Sequence, residues 1–310
     1  MPTKKGSIRL FQLAGINVYL HWAWFLAFFY LSSRPREYSS YVWNALEILC
    51  LFLIVLAHEF GHQLACRQVG GQTHDIILFP FGGVAYVSPP QRAGAQLWSI
   101  AAGPLVNVIL IPILSGLVSV GSHLNWDDTH PDVYTLIHDV WVINFGLLIF
   151  NMLPIFPLDG GQILRSLLWF LFGRANSLMA ASIIGFVGVA GLFVIVGLLF
   201  VFSGDKTQSI WLGAICALIL MNCWRGLTQA RALARIAKLP RRQGFACPSC
   251  KTAPPLGEFW RCGKCSQAFD MFVTRGVCPH CGTQFNSTQC LDCGTASPVA
   301  AWMQPPPANN

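Results

Sequence analysis

The sequence predicts an all-α polytopic membrane protein: about six transmembrane helices, a short membrane-associated β-hairpin or re-entrant loop, and a small cysteine-rich domain at the C-terminal end. Three observations carry that prediction. Only 11% of the 310 residues are charged while 54% are hydrophobic, and mean hydropathy is +0.52. A soluble domain carries about 25% charged residues, so the deficit is too large for a globular core. Apolar runs recur at about 17–33, 41–66, 96–120, 134–157, 178–202 and 208–224. Crossing a bilayer takes roughly 20 apolar residues, so the first and last runs are marginal and the other four comfortable. Eight of the 12 cysteines form four C-x-x-C pairs in the last quarter of the chain.

Taking the elements in order, the first run lacks a small-residue cleavage site and reads as a span rather than a signal peptide. The cations set the orientation. Lys4, Lys5 and Arg9 precede the first run, Arg67 and Arg92 separate the second from the third, and Arg165 and Arg174 separate the fourth from the fifth. The loop 121–133 holds Asp127, Asp128 and Asp132 with no Lys or Arg. The positive-inside rule then places both termini in the cytoplasm, with Arg34, Arg36 and Lys206 as exceptions. Residues 71–95 are apolar but broken by Gly and Pro, and two β-prone runs flank Gly82-Gly83. This predicts a hairpin or re-entrant loop, or else a hydrophobic surface loop. Arg225, Arg231, Arg235, Lys238, Arg241 and Arg242 follow the last run and account for much of the +7 net charge. After a span such a cluster faces anionic lipid more often than nucleic acid.

Past Arg242 the composition turns to Cys, Gly and Pro. The reading is a membrane domain over 1–242, a metal-binding domain over 243–300, and a disordered tail over 301–310. Cys247, Cys250, Cys262, Cys265, Cys278, Cys281, Cys290 and Cys293 have the spacing of a double zinc ribbon. Sequence order puts the first four thiolates on one zinc and the last four on another, with interleaved pairing as the alternative. Such four-thiolate sites are closed and structural, and supply folding free energy. Lys251, Arg261, Lys264 and Arg275 lie among several aromatics, a weak signal for nucleic acid; a cytoplasmic protein partner is the better reading.

The densest chemistry is His58-Glu59-Phe60-Gly61-His62, at the end of the second run. On a helix, residues i and i+4 share a face, so both imidazoles can reach one zinc, with Glu59 beside them to take a proton from an attacking water. Two imidazoles and a carboxylate within a bilayer cost several kcal/mol unless paired or metal-bound. A catalytic zinc needs three protein ligands, and nothing in 63–71 offers a third. Asp159, behind helix-breaking prolines in Asn151-Met152-Leu153-Pro154-Ile155-Phe156-Pro157-Leu158-Asp159-Gly160, is the best distant candidate; its competing role is an N-cap for the helix that follows.

His-Glu-Phe-Gly-His, then Phe81-Gly82-Gly83-Val84-Ala85, Ala102-Gly103-Pro104-Leu105-Val106-Asn107 and the Asn151 to Gly160 motif, resemble in that order the site-2 protease family of intramembrane zinc metalloproteases. The opening Ile16-Asn17-Val18-Tyr19-Leu20-His21-Trp22 is similar to the start of bacterial and archaeal members, and the match covers roughly 8–170. The resemblance implies a prokaryotic cell-membrane endopeptidase for transmembrane segments. It implies His58, His62 and Asp159 as zinc ligands and Glu59 as general base and acid. It also puts Gly82 and Gly83 beside the substrate, offering a strand edge. Asn107 and Asn151 fall on family positions, either holding substrate or orienting the site, or satisfying a neighbouring helix; His21 either faces the metal cavity or makes an interhelical hydrogen bond. With the ribbons this gives one catalytic and two structural zinc ions. The chain departs from the family in carrying those ribbons. A competing reading is a non-proteolytic membrane adaptor or sensor that displays them to cytoplasmic protein or nucleic acid.

Overall fold

A computed structural model describes residues 6–25, 38–79, 82–155, 158–202 and 206–303. The chain begins with β1 (Ser7–Leu13) and β2 (Ile16–His21), followed by helix α1 (Tyr41–Gln68), then β3 (Gln72–Phe79) and β4 (Gly82–Ser88). Helices α2 (Ala93–His123), α3 (Pro131–Met152), α4 (Asp159–Phe202) and α5 (Lys206–Ala237) come next.

Among the described residues, four helical stretches are long and apolar enough to cross a membrane: Tyr41–Gln68, Ala93–His123, Pro131–Met152 and Asn176–Ile195. Their outer faces are apolar and exposed, as at Leu49, Leu53, Val108, Ile109, Ile113 and Leu117, which suits contact with lipid chains. The expectation of six spans exceeds this set. The run at 208–224 lies within α5, which is not one of the four. The run at 17–33 is a strand as far as His21, and 26–33 lie outside the described residues.

The all-α expectation is corrected by a four-stranded sheet in the order β1-β2-β3-β4. β2 runs parallel to β3, pairing Asn17 with Asp75 and Leu20 with Leu78, and the other two pairs are antiparallel. The physical reason is alternation: Ile16 and Val18 on β2, with Ile76 and Leu78 on β3, are fully buried and pack on Val55, Phe52 and Leu56 of α1. The two β-prone runs around Gly82-Gly83 are therefore inner and outer members of a larger sheet, not a free hairpin. The outermost strand on that side is β4, whose Gly83 lies directly against α1.

Two features of the helices position the site. α4 is kinked at Gly173, whose φ of 73° and ψ of 173° suit glycine alone. α1 and α3 both run toward the side from which α2 and α4 start, and α4 begins at the depth of His58 and His62, short of the end of α1. The C-terminal domain is built from two short ribbons, Trp260–Arg261 with Ala268–Phe269 and Ser287–Gln289 with Ala296–Pro298. Phe269, Phe272, Trp260 and Trp302 form its core. This domain runs past the expected boundary at 300, because Trp302 is buried and its carbonyl accepts from the Ala246 amide. The tail at 304–310 lies outside the described residues.

Candidate metal centre

One turn of α1 puts His58 and His62 on the same face, with ring centroids 4.8 Å apart. Their Nε2 atoms stand 3.1 Å from each other. Asp159 arrives at the first position of α4, and its Oδ2 lies 3.0 Å from His58 Nε2 and 3.4 Å from His62 Nε2. The chain thus turns the Asp159 carboxylate onto the imidazoles across a separation of 101 residues from His58. His58, Glu59 and His62 are all buried.

The outer ring nitrogens are held as well. His58 Nδ1 meets Asn107 Oδ1 at 2.6 Å, and His62 Nδ1 meets the Ser99 carbonyl at 2.9 Å. A carbonyl can only accept, so His62 must donate from Nδ1, which leaves Nε2 as the free lone pair aimed at the cluster. Asn107 is fixed in turn: its Nδ2 donates to Asn144 Oδ1 at 2.8 Å, and Asn144 Nδ2 donates to the Asn107 carbonyl at 3.0 Å. Outer partners of this kind fix imidazole tautomer and ring orientation in metal sites. The residues fit a zinc ion by donor chemistry: two imidazole nitrogens and one carboxylate oxygen, all within 4.8 Å of one another, on fixed side chains.

Close backbone approach shapes the rest. A Cβ on Gly103 of α2 would run into the His62 ring and lie 2.8 Å from His58 Nε2. One on Gly61 would sit 2.6 Å from the Ala102 carbonyl, so α1 and α2 touch there. On β4, a Cβ at Gly83 would fall on the Glu59 side chain, 2.6 Å from Oε1. The glycine motifs therefore make room for the histidines and for Glu59.

Sequence reasoning grouped His58, Glu59, His62 and Asp159; the family resemblance added Gly83 beside the substrate and Asn107 with its role left open. It missed Ser99, which acts through its carbonyl and so leaves no side-chain signal. It missed Asn144, which lies two turns before Asn151 on α3 and is the asparagine bonded to Asn107. Asn151 is half-buried at the end of α3, outside that network. His21 sits at the end of β2, where its Nδ1 accepts from the Ala23 amide at 3.2 Å and its ring packs on Phe79, 4.6 Å between centroids. It is not one of the three clustered metal-ligating residues.

Two further clusters lie in the C-terminal domain, and here the expected pairing is wrong. Cys247 and Cys250 share a site with Cys290 and Cys293, while Cys262 and Cys265 share one with Cys278 and Cys281. The sites are nested, not consecutive. Facing sulfurs are 3.5 to 3.8 Å apart, close to the edge of a tetrahedron with zinc–sulfur bonds of about 2.3 Å. The reason is local. Each C-x-x-C is one hairpin knuckle in which the first Cys amide donates to residue five positions on, at Thr252, Gln267, Thr283 and Thr295, and its carbonyl accepts from residue four on. That fourth residue, Lys251, Ser266, Gly282 or Gly294, has φ near +60 to +76°. The two middle knuckles face each other across a short connection. The first and last are then brought together by the Phe245–Met303 bridge and by Arg241, which makes two hydrogen bonds to Asp292 at 2.7 and 2.9 Å. Thr283 holds the Cys281 thiol down to about 6. Burial pushes Cys293 up, but the Thr295 hydroxyl and amide outweigh it and leave that thiol at about 7. These two shifts favour the thiolate a metal needs, while in the same sites Cys265 is pushed up to about 12 and burial raises Cys290.

Membrane-crossing helices around a buried two-histidine, one-aspartate cluster, with a glutamate one residue from the first ligand, define the class: a membrane protein with a zinc-type centre sunk among its helices. Comparison with known proteins gives the same answer. The model of Peptidase family M50 matches residues 46–125 and 113–195. The zinc metalloprotease MJ0392 of Methanocaldococcus jannaschii is 35% identical over 193 residues, which is 62% of this chain and 54% of that protein. Stage IV sporulation protein FB of Bacillus subtilis is 33% identical over 119 residues, 38% of each. The solved site-2 protease from Methanocaldococcus jannaschii aligns with a TM-score of 0.50 and 30% identity, covering 71% of this chain and 95% of that one. The chain belongs to the site-2 protease family, Peptidase family M50. It spans little more than half the length of the curated relative MJ0392.

Proposed function

We propose that the protein is a zinc endopeptidase that cuts transmembrane segments of other proteins near the cytoplasmic side of the bilayer. The observation that carries this reading is the convergence of His58 Nε2, His62 Nε2 and Asp159 Oδ2 beside Glu59, among helices long and apolar enough to cross a membrane. Those three residues would hold the metal, and the two four-cysteine clusters would hold two more zinc ions. Zinc bound there would lower the pKa of a water to about 7 and polarise the scissile carbonyl. Glu59 accepts the proton of the attacking water and delivers it to the leaving amide nitrogen. Asn107 and the Ser99 carbonyl keep the imidazoles oriented while this happens. A peptide bond inside a helix is shielded by its own hydrogen bonds, so the substrate must unwind; β4, an outermost strand of the sheet among the described residues and packed on Glu59 through Gly83, is where an extended segment would pair.

The side of cleavage follows from helix lengths and charge. His58 and His62 are ten and six residues from the end of α1, or about 15 and 9 Å at 1.5 Å per residue. Arg67, Arg92, Arg165, Arg174 and the cluster after 225 lie toward that end, and the acidic loop 121–133 lies at the other. This supports a multi-pass arrangement with both termini in the cytoplasm. The decisive measurement uses Glu59→Gln. Zinc content should stay the same while cleavage falls by at least about a hundredfold, the share usual for general acid–base catalysis. Proteomics of membrane fragments released by the wild type and absent with Glu59→Gln would name the substrates; equal fragments from both would remove Glu59 from the mechanism and leave the adaptor reading standing.

A further inference from the structure

The membrane domain and the cysteine-rich domain enclose a cleft of about 740 Å³ that the proteolytic reading does not use. Its membrane-side wall is Arg92 at the start of α2, with Trp169, Gly173 and Arg174 at the kink of α4; Lys238, just after α5, closes one side, and the ribbon contributes Ser249, Thr252 and Asp292 with the outer-site ligands Cys250 and Cys293. The volume is within the range of small-molecule sites.

The charges in this cleft are unbalanced. Arg174 and Arg165 lie over the same indole, with guanidinium carbons 6.0 and 5.9 Å from the Trp169 ring. The Nε atoms of both are buried and have no hydrogen-bond partner. Among the described residues neither arginine has a carboxylate within ion-pair distance. Asp292, the acid on the opposite wall, is taken up by Arg241, and the Cys293, Cys290 and Cys250 sulfurs of the outer tetrathiolate site face Arg174 from the ribbon side. The four cations Arg92, Arg165, Arg174 and Lys238 outnumber the net two negative charges that a zinc-bound tetrathiolate would return, so the space still favours a further anion. The cleft also begins two residues before the span Asn176–Ile195, which puts it at the level of lipid headgroups.

We infer that this cleft binds a phosphate group, held by Arg174, Arg92 and Lys238, at the junction of the two domains. Arginine supplies the forked donors that phosphate oxygens accept, and the apolar floor at Trp169 fits whatever the phosphate is attached to. The phosphate belongs either to an anionic lipid headgroup or to a soluble phosphorylated molecule, and the test separates the two. Because α4 starts at Asp159 and the cleft lies at its kink, an occupant bridges the helix that carries a metal ligand to the domain that carries the ribbons.

The experiment uses the full, zinc-loaded chain in neutral detergent. Native mass spectrometry with equal phosphatidylglycerol and phosphatidylcholine reads the lipid arm, and calorimetric titration with inorganic phosphate reads the soluble arm. Wild type should retain phosphatidylglycerol selectively, or bind phosphate saturably. Either signal should fall about tenfold or more in Arg174→Gln, the loss expected for charge-assisted hydrogen bonds. Arg174 packs on Trp169 and its loss can disturb the fold, so Lys238→Gln, at the exposed helix end, should give the same direction of change with zinc content intact. Arg231→Gln, exposed on α5 outside the cleft, should leave binding unchanged. Equal losses in Arg231→Gln would mean diffuse attraction to the basic helix and would overturn the assignment. So would binding that survives both cleft variants, or an Arg174→Gln chain that loses zinc yet binds as before, since Arg174 would then serve only the tetrathiolate charge.

Discussion

Gly103 shows how little space the metal site leaves. Its missing side chain is what lets α2 pass over both imidazoles, since a Cβ there would strike the His62 ring and crowd His58 Nε2. Gly103→Ala should therefore displace the ligands without unfolding the helices: elemental analysis should find the centre's zinc lost while both ribbon zincs remain. Retention of all zinc would mean that α2 is free to slide outward. Asn107→Ala removes one orienting partner instead of a ligand, and should weaken zinc binding at this site by about 10- to 100-fold, the usual size of such an outer contact; competition with a chelator of known affinity measures it. The residues legible in the sequence are those whose side chains do chemistry at fixed spacing, such as His58, Glu59 and His62. Ser99 was not legible because any residue has a carbonyl. Asn144 was not, because a lone amide on an apolar helix looks the same whether it serves its own helix or a neighbour's.

Elements were readable where their signal is local. Helices α1, α2 and α3 announce themselves by long apolar runs with polar ends. β1 and β2 did not, because the run from Asn17 onward is apolar enough to pass for a span, and its period-two burial is set by a partner strand 58 residues away. Parallel pairing of this kind leaves no turn in the sequence. The kink in α4 is likewise invisible until the backbone is seen, since Gly173 is one of many glycines in apolar helices. At φ 73° and ψ 173° it occupies a region essentially closed to other residues. Gly173→Ala should cost about 1–3 kcal/mol or straighten the helix. A fall of the thermal midpoint, with the zinc of the His58 centre retained, would show that the strain is confined to the kink. Zinc lost along with stability would instead mean that the bend also sets where Asp159 lies at the helix start. An unchanged midpoint would show that α4 relaxes freely.

At the scale of the whole molecule, zinc on the two four-cysteine clusters would close the ribbon domain more than its core does. Its strands are two or three residues long, and the aromatic cluster around Trp260 and Phe272 is small. Structural zinc binding contributes apparent free energies of about 10–16 kcal/mol per site, enough to dominate a unit of this size. Nesting matters for how that energy is used. The outer site ties Cys247, just after the membrane domain, to Cys293 near the domain's other end, so it holds the whole domain shut; the inner site closes only the stretch between Cys262 and Cys281. Paired substitutions separate this from the consecutive arrangement. Cys247→Ser with Cys290→Ser strikes one nested site and should remove one zinc. Cys247→Ser with Cys262→Ser strikes both and should remove two. Consecutive pairing reverses these results, because Cys247 and Cys262 would then share a metal while Cys247 and Cys290 would not. Zinc counts on the four-thiolate sites thus decide the topology directly. Loss of the outer site alone should also free the ends of the domain to proteolysis around 243–247 while the segment 260–285 stays protected.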